Sequence, residues 1–183
     1  MSIIETDWLE NNLENVKIID CSWHMPQMKR NGFEEYKIQH LPGAIFFDLD
    51  DNSDQSSNLP HMLVKKYKWE KIVSKMGIKN EDKIVVYDNS DVVSSCRCWF
   101  NFIYFGHNPK QIHILNGGLK KWIKEKRQIT NKIPKIKLSE YKGFEKKELV
   151  KNKKSIDQNI ITQTFKVIDA RSKERFEGKV PEP

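Results

Sequence analysis

Glycine, proline and cysteine are scarce in this chain, and no long apolar run interrupts it. The 183 residues include only 8 glycines, 7 prolines and 3 cysteines, while 38% are hydrophobic. This composition indicates a globular protein with one well-buried core and some remainder, and it argues against a disordered chain. No apolar stretch approaches the length of a membrane-spanning helix. We therefore expect no association with a membrane.

The amino-terminal segment and the cysteines bear on the cellular compartment. Residues 1–12 contain three acidic side chains and no sustained apolar run, so we expect neither a secretory signal nor a basic transit peptide. Cys21, Cys96 and Cys98 form no paired framework, which favours a reducing compartment over a secreted disulfide scaffold. The sequence therefore predicts a cytoplasmic protein.

The net charge of +7 is a feature shared with nucleic-acid-binding proteins. Much of the excess lies between Lys132 and Lys154, where the aromatic residues are limited to Tyr141 and Phe144. This pattern is typical of a solvated connector, because it offers no platform on which bases would stack. We expect no nucleic-acid partner. The competing interpretation, an RNA-associated protein, predicts an affinity that falls steeply with salt.

Apolar runs bounded by turn residues alternate between strand-like and helix-like patterns, which favours an α/β fold with a parallel sheet and helices on both faces. The predicted strands are residues 16–21, 44–47, 83–87 and 112–115. The predicted helices are residues 7–13, 33–38, 67–76, 94–105 and 119–125.

The predicted helix 94–105 has apolar residues at i, i+3, i+4 and i+7, which are Cys96, Trp99, Phe100 and Ile103. Phenylalanines cover much of the remaining surface, so we expect this helix to be buried on most sides. Cys96 and Cys98 are then buried, unreactive thiols. No second pair of metal ligands accompanies them at a suitable spacing, so we expect no metal site.

An apolar run that ends in aspartate occurs twice, as KIID in residues 17–20 and as KVID in residues 166–169. The repetition predicts a second copy of the fold that begins near the end of the chain. The predicted organisation is one domain at residues 1–133, a lysine-rich linker at 134–164 and the start of a second domain at 165–183.

Two segments join turn residues to an apolar strand. Residues 39–48, QHLPGAIFFD, lead from a Pro-Gly turn into a strand, and taken alone they indicate a structural turn with His40 at the surface. In residues 114–122, ILNGGLKKW, a strand ends at Asn-Gly-Gly and an amphipathic helix follows at once. Glycine permits this reversal and a close contact between strand and helix.

These segments, in this order on either side of VVYD at residues 85–88, resemble the rhodanese family of sulfurtransferases. Residues 46–63 resemble the 3-mercaptopyruvate sulfurtransferase branch, whose members have two rhodanese domains in tandem. Residues 169–172, 175–176 and 181–183 resemble the start of the second domain of that branch. The resemblance implies a rhodanese-like fold and an amino-terminal domain truncated at the start of the second.

The resemblance also implies a persulfide mechanism, in which a cysteine thiolate takes sulfur from 3-mercaptopyruvate or thiosulfate and passes it to a thiol or cyanide. No metal or organic cofactor is implied. The reactive cysteine belongs on a loop between a strand and a helix, where amide groups and the helix dipole stabilise the anion. In this chain that loop is residues 87–94, and Asp88 occupies the place of the cysteine.

The same resemblance places three residues at a site shared with the second domain. Asp50 and His61 are expected to act together in proton transfer, and the alternative is that both only brace a long loop. Arg175 is expected to bind the carboxylate of the donor, and the alternative is a surface arginine at a helix start. Gln55 departs from the family pattern, which commonly has arginine there.

The sequence therefore predicts the amino-terminal half of a 3-mercaptopyruvate/thiosulfate sulfurtransferase, inactive alone and completed by a carboxyl-terminal rhodanese domain. The alternative is a non-catalytic rhodanese-like module with a binding or regulatory role. Apolar residues near the end, Val167, Ile168 and Phe176, lack a second core and are expected to be uncovered.

Overall fold

A computed structural model describes residues 2–181 of the chain. The chain divides into two compact units, Met1–Lys147 and Glu148–Pro183. None of the described helices is both long enough and apolar enough to cross a membrane.

The first unit is built on a parallel sheet of five strands, which are β1 (Ile3–Ile4), β2 (Lys17–Asp20), β3 (Ile45–Phe46), β4 (Ile84–Tyr87) and β5 (Ile112–Leu115). They lie in the order β1-β5-β4-β2-β3. The sheet is parallel throughout, because after each strand a helical connection returns the chain to the end of the sheet where the strands begin.

Five helices accompany these strands: α1 (Thr6–Glu10), α2 (Gly32–Ile38), α3 (Lys66–Lys75), α4 (Ser95–Tyr104) and α5 (Gly118–Lys124). Short 3₁₀ turns occur at Leu13–Asn15, Pro26–Met28 and Lys147–Leu149. The second unit contains α6 (Lys153–Thr162) and α7 (Lys173–Phe176).

Each face of the sheet has its own core because successive strand residues point to opposite sides. Ile84 and Val86 of β4 pack with residues of α3 and α4, including Trp69 and Phe102. Val85 and Tyr87 pack with α1, α2 and α5 on the other side. The predicted α/β class and the helices on both faces are confirmed.

Helix α4 presents a different face to the core from the one predicted. Its buried residues are Ser95, Cys98, Asn101, Phe102 and Tyr104. Cys96 is exposed, and Trp99 is only half-buried. The prediction of a buried Cys96 is wrong because it counted apolar side chains, whereas the helix turns two small or polar residues, Ser95 and Asn101, inward. Cys98 is buried, as predicted.

His40 is also placed differently from the prediction. Its ring is fully buried and stacks on Tyr36 with 4.0 Å between the ring centroids. Its Nδ1 lies 2.6 Å from the carbonyl oxygen of Tyr36. The aromatic neighbour and the backbone partner make burial of this polar ring favourable.

Residues 134–147 belong to the first unit, although the composition placed them in a linker. The backbone N–H groups of Phe144 and Lys146 donate to the carbonyl oxygens of Phe105 and Tyr104, at 2.9 and 2.8 Å. Tyr141 is buried, with 2% of its surface exposed. The first compact unit therefore extends past residue 133 to Lys147.

The second unit contains helices, and the strand expected at residues 166–169 does not form. Val167 and Ile168 are exposed, as is Phe176 of α7. A strand needs a neighbouring strand to pair its backbone groups, and within this described unit none is present. Glu182 and Pro183, from the third part of the family-like tail, lie outside the described residues.

Candidate functional site

The site is assembled where the parallel strands end, because their carboxyl ends meet at one edge of the sheet. The segment after β2 carries Trp23, and the segment after β3 carries Asp50. The loop after β4 carries Asp88, and β5 is followed by the Gly117-Gly118 turn.

Asp88 lies in a cradle at the bend between β4 and α4. Its Oδ1 accepts a hydrogen bond from the backbone N–H of Ser90 at 2.9 Å, and its Oδ2 accepts one from that of Ser95 at 2.8 Å. Asp88 is buried, and Ser95 is the first residue of α4. The carboxylate therefore caps the helix at the end where its dipole favours negative charge. In this chain the group that occupies the cradle is therefore a carboxylate.

The Gly117-Gly118 turn packs directly against the backbone of Asp88. Both glycines have positive φ angles, and a Cβ atom on Gly118 would lie 2.4 Å from the carbonyl oxygen of Asp88. The same carbonyl accepts the backbone N–H of Leu119 at 3.0 Å. Only glycine permits this approach, so the close contact expected from the sequence is present.

The three thiols occupy different environments. Cys21 and Cys98 are buried, and burial raises the pKa of Cys21 well above its ordinary value. Cys96 lines a cavity of about 300 Å³ together with Asp88. Partial desolvation and the negative charge of Asp88 raise the pKa of Cys96, which disfavours its thiolate.

Asp50 and His61 are in direct contact. Nε2 of His61 lies 2.8 Å from Oδ1 of Asp50, and because an ionised carboxylate only accepts hydrogen bonds, this hydrogen bond forms when Nε2 carries the proton. Trp23 donates from its indole Nε1 to Oδ2 of the same carboxylate at 2.9 Å. The Trp23 ring also meets the His61 ring edge to face, with 4.8 Å between centroids.

The long loop that carries this pair is braced from two sides. Gln55 donates from Nε2 to the backbone carbonyl of Asp50 at 2.6 Å. Arg97 of α4 donates to the backbone carbonyl of His61, whose φ angle of +55° lies in the left-handed region. A cavity of about 170 Å³ beside the pair is lined by Asp50, Gln55 and His61.

Arg175 lies in the second unit, within α7, where its backbone N–H donates to the hydroxyl of Ser172. Asp50 and His61 lie in the first unit. Among residues 2–181, no group of three or more histidine, cysteine, aspartate or glutamate side chains is arranged to hold a metal ion.

Trp23 and Arg97 touch the pair, and neither was expected there from the sequence. Trp23 follows β2 by three residues, so its place at the carboxyl edge of the sheet was an available signal. The contact of Arg97 with His61 joins residues 36 positions apart, and no local pattern predicts it.

Known proteins similar to this chain belong to the family that its sequence motifs resemble. The rhodanese-like domain family matches residues 5–125. The chain belongs to the rhodanese family. Its similarity to relatives extends over nearly the whole chain, beyond the limits of that domain.

Two curated relatives and one solved structure illustrate this similarity. The mitochondrial thiosulfate/3-mercaptopyruvate sulfurtransferase 1 of Arabidopsis thaliana is 36% identical, and the match covers 99% of this chain and 53% of that protein. The human 3-mercaptopyruvate sulfurtransferase is 28% identical, with 100% and 63% covered. The structure of SseA, a 3-mercaptopyruvate sulfotransferase from Escherichia coli, superposes with a TM-score of 0.90 at 28% identity and covers 100% of this chain and 70% of SseA.

The chain spans a little over half to nearly two-thirds of the length of these curated relatives. They are named for sulfur transfer from 3-mercaptopyruvate or thiosulfate.

Proposed function

We propose that this chain is the amino-terminal half of a 3-mercaptopyruvate/thiosulfate sulfurtransferase, whose nucleophilic cysteine is supplied by a second rhodanese domain. The observation that carries this proposal is the cradle of Asp88, in which an aspartate accepts two amide hydrogen bonds at the place that the sequence resemblance gives to the cysteine. A carboxylate does not accept sulfur, so this half is inactive alone. The names of the relatives support 3-mercaptopyruvate and thiosulfate as the sulfur donors, and they do not favour a binding or regulatory module.

In the proposed reaction the thiolate of the second domain attacks the sulfur of 3-mercaptopyruvate. A sulfur–sulfur bond forms, the bond between sulfur and carbon breaks, and the pyruvate enolate takes up a proton. The sulfur then passes to a thiol or cyanide acceptor, and no metal or organic cofactor takes part.

Asp50 and His61 contribute proton transfer to this reaction. With its proton on Nε2 held by Asp50, His61 presents a bare Nδ1 that accepts a proton from the donor or returns one. Arg175 contributes a planar guanidinium that pairs with the carboxylate of the donor. These roles agree with the residue types and with the contact between Asp50 and His61.

The test is to mix the chain with a separately produced rhodanese domain that carries the cysteine loop, and to follow pyruvate release from 3-mercaptopyruvate. We expect release from the mixture and none from the chain alone. His61→Gln should lower the rate by about a hundredfold or more, because it removes a general acid–base group.

Asp51→Asn is the control for the mixture, since Asp51 is exposed in the same loop and its backbone N–H donates to Asp48. Its rate should equal that of the native chain. Release by the isolated chain at enzyme-like rates would contradict the proposal.

A further inference from the structure

The contact between Asp50 and His61 is weakly fixed by itself. The Asp50 side chain lies on a loop and is 66% exposed, while that of His61 is 25% exposed. A single exposed pair of this kind contributes little, because water competes for both partners and the side chains lose entropy on pairing. A neutral imidazole also carries its proton on either nitrogen. The pair therefore needs a further constraint to hold one tautomer.

Trp23 supplies such a constraint because it touches both members of the pair. Its indole N–H occupies Oδ2 of Asp50 and leaves Oδ1 directed at His61. Its ring packs edge to face against the imidazole, with an interplanar angle of 87°. Rotation of the carboxylate breaks one of its two hydrogen bonds. Rotation of the imidazole ring is blocked by steric contact with the indole ring.

Trp23 is itself held by the cradle loop. Its backbone N–H is shared between the hydroxyl oxygens of Ser90 and Ser94, at 2.9 and 3.1 Å. Ser94 donates to the carbonyl of Cys21 at 2.6 Å. The backbone N–H of Ser90 donates to Asp88, so the carboxylate in the cradle is connected to Trp23 through one residue.

The main chain of His61 is fixed independently by Arg97, which donates to its carbonyl oxygen. What remains free at His61 is the orientation and the tautomer of the ring. Those are the two properties that the indole and the Asp50 carboxylate restrict.

We propose that Trp23 is a positioning residue, whose indole N–H fixes the Asp50 carboxylate so that His61 holds its proton on Nε2 and presents a bare Nδ1. The catalytic meaning of this arrangement rests on the proposed function. The arrangement itself is a property of the isolated chain. The Asp88 cradle, which lacks a thiol, then serves to buttress Trp23.

The first test is ¹⁵N NMR of the histidine rings in the full chain at about pH 8.5, where a histidine with the ordinary value of ~6.5 is neutral. His61→Gln identifies the His61 signals among those of the five histidines. The native chain should show the Nε2–H tautomer of His61 alone, and Trp23→Phe should show a mixture of both tautomers.

Trp8→Phe is the matched control, because Trp8 lies in α1 and its ring packs against that of His113, with 6.1 Å between the centroids. It should retain the single native tautomer. If Trp23→Phe also retains it, the proposal is wrong.

A second measurement applies even if Trp23→Phe does not fold. Asp50→Ala changes an exposed loop side chain, so we expect the fold to be preserved, and it removes the acceptor of the indole N–H. Hydrogen exchange of the Trp23 indole should then accelerate about tenfold. An unchanged exchange rate would overturn the proposal.

Neither measurement involves sulfur transfer. A negative result in the pyruvate assay and a negative result here are therefore separate findings, and each refutes a different claim.

Discussion

At the scale of single residues, the central feature is a buried carboxylate that satisfies two backbone donors at the start of α4. Asp88→Ala removes both acceptors and leaves the N–H groups of Ser90 and Ser95 without them. We expect the free energy of unfolding to fall by about 2 kcal/mol, which is the cost of uncapping a helix and leaving buried donors unpaired. Urea denaturation followed by circular dichroism measures this change.

The control for this variant is Asp91→Ala in the same loop, where the exposed carboxylate pairs with Lys120 and Arg30. Exposed ion pairs contribute little, so its effect on unfolding should be much smaller than that of Asp88→Ala. Equal effects of the two variants would show that the cradle adds nothing to stability.

The residues of the site were predictable to different degrees. The family resemblance singled out Asp50 and His61 as a pair and, separately, Asp88 at the place of the cysteine, because each stands in a recognisable motif. Trp23 has no motif, and its role depends on a hydrogen bond across 27 positions. Cys96 was misplaced because helix periodicity measures hydrophobicity, whereas the geometry of α4 decides which side faces the sheet.

At the scale of elements, residues 134–147 act as a strap over the ends of α3 and α4. Ser139 donates to the carbonyl oxygens of α3 and of Ile78, and Gly143 donates to Glu70 of α3. The buried ring of Tyr141 stacks with His107, with 6.0 Å between the centroids. This contact anchors the strap in the core.

Tyr141→Ala should therefore lower the free energy of unfolding of the first unit by about 3 kcal/mol, as the loss of a buried aromatic ring does elsewhere. Tyr67→Ala is the matched control, since Tyr67 of α3 is 61% exposed, and its effect should stay within about 0.5 kcal/mol. Chemical denaturation of both variants distinguishes a packed strap from a solvated linker. Similar small effects would favour the linker.

The sequence predicted four strands and five helices near their observed places because alternating apolar runs and glycine turns mark them strongly. It did not predict β1, whose two residues pair with β5 only through the tertiary fold. The strap was also missed, since its lysines are exposed and a single tyrosine carries its contact with the core. Composition describes such a segment as a linker even where its backbone is tied down.

At the scale of the whole molecule, the chain has the rhodanese fold with Asp88 in its cradle, and a second unit in which Val167, Ile168 and Phe176 are exposed. In our proposal, the chain depends on a second domain for its nucleophile. The pair of Asp50 and His61, braced by Trp23, is the part of the chemistry that this chain provides in our proposal.

The proposal that a second domain supplies the nucleophilic cysteine is tested by locating the transferred sulfur atom after reaction with 3-mercaptopyruvate. The chain is incubated with the donor, alone and with a cysteine-bearing rhodanese domain, and each cysteine is examined by peptide mass spectrometry. We expect a persulfide on the added domain and none on Cys21, Cys96 or Cys98, whether or not that domain is present. A persulfide on one of these three thiols, formed together with pyruvate by the isolated chain, would contradict the proposal.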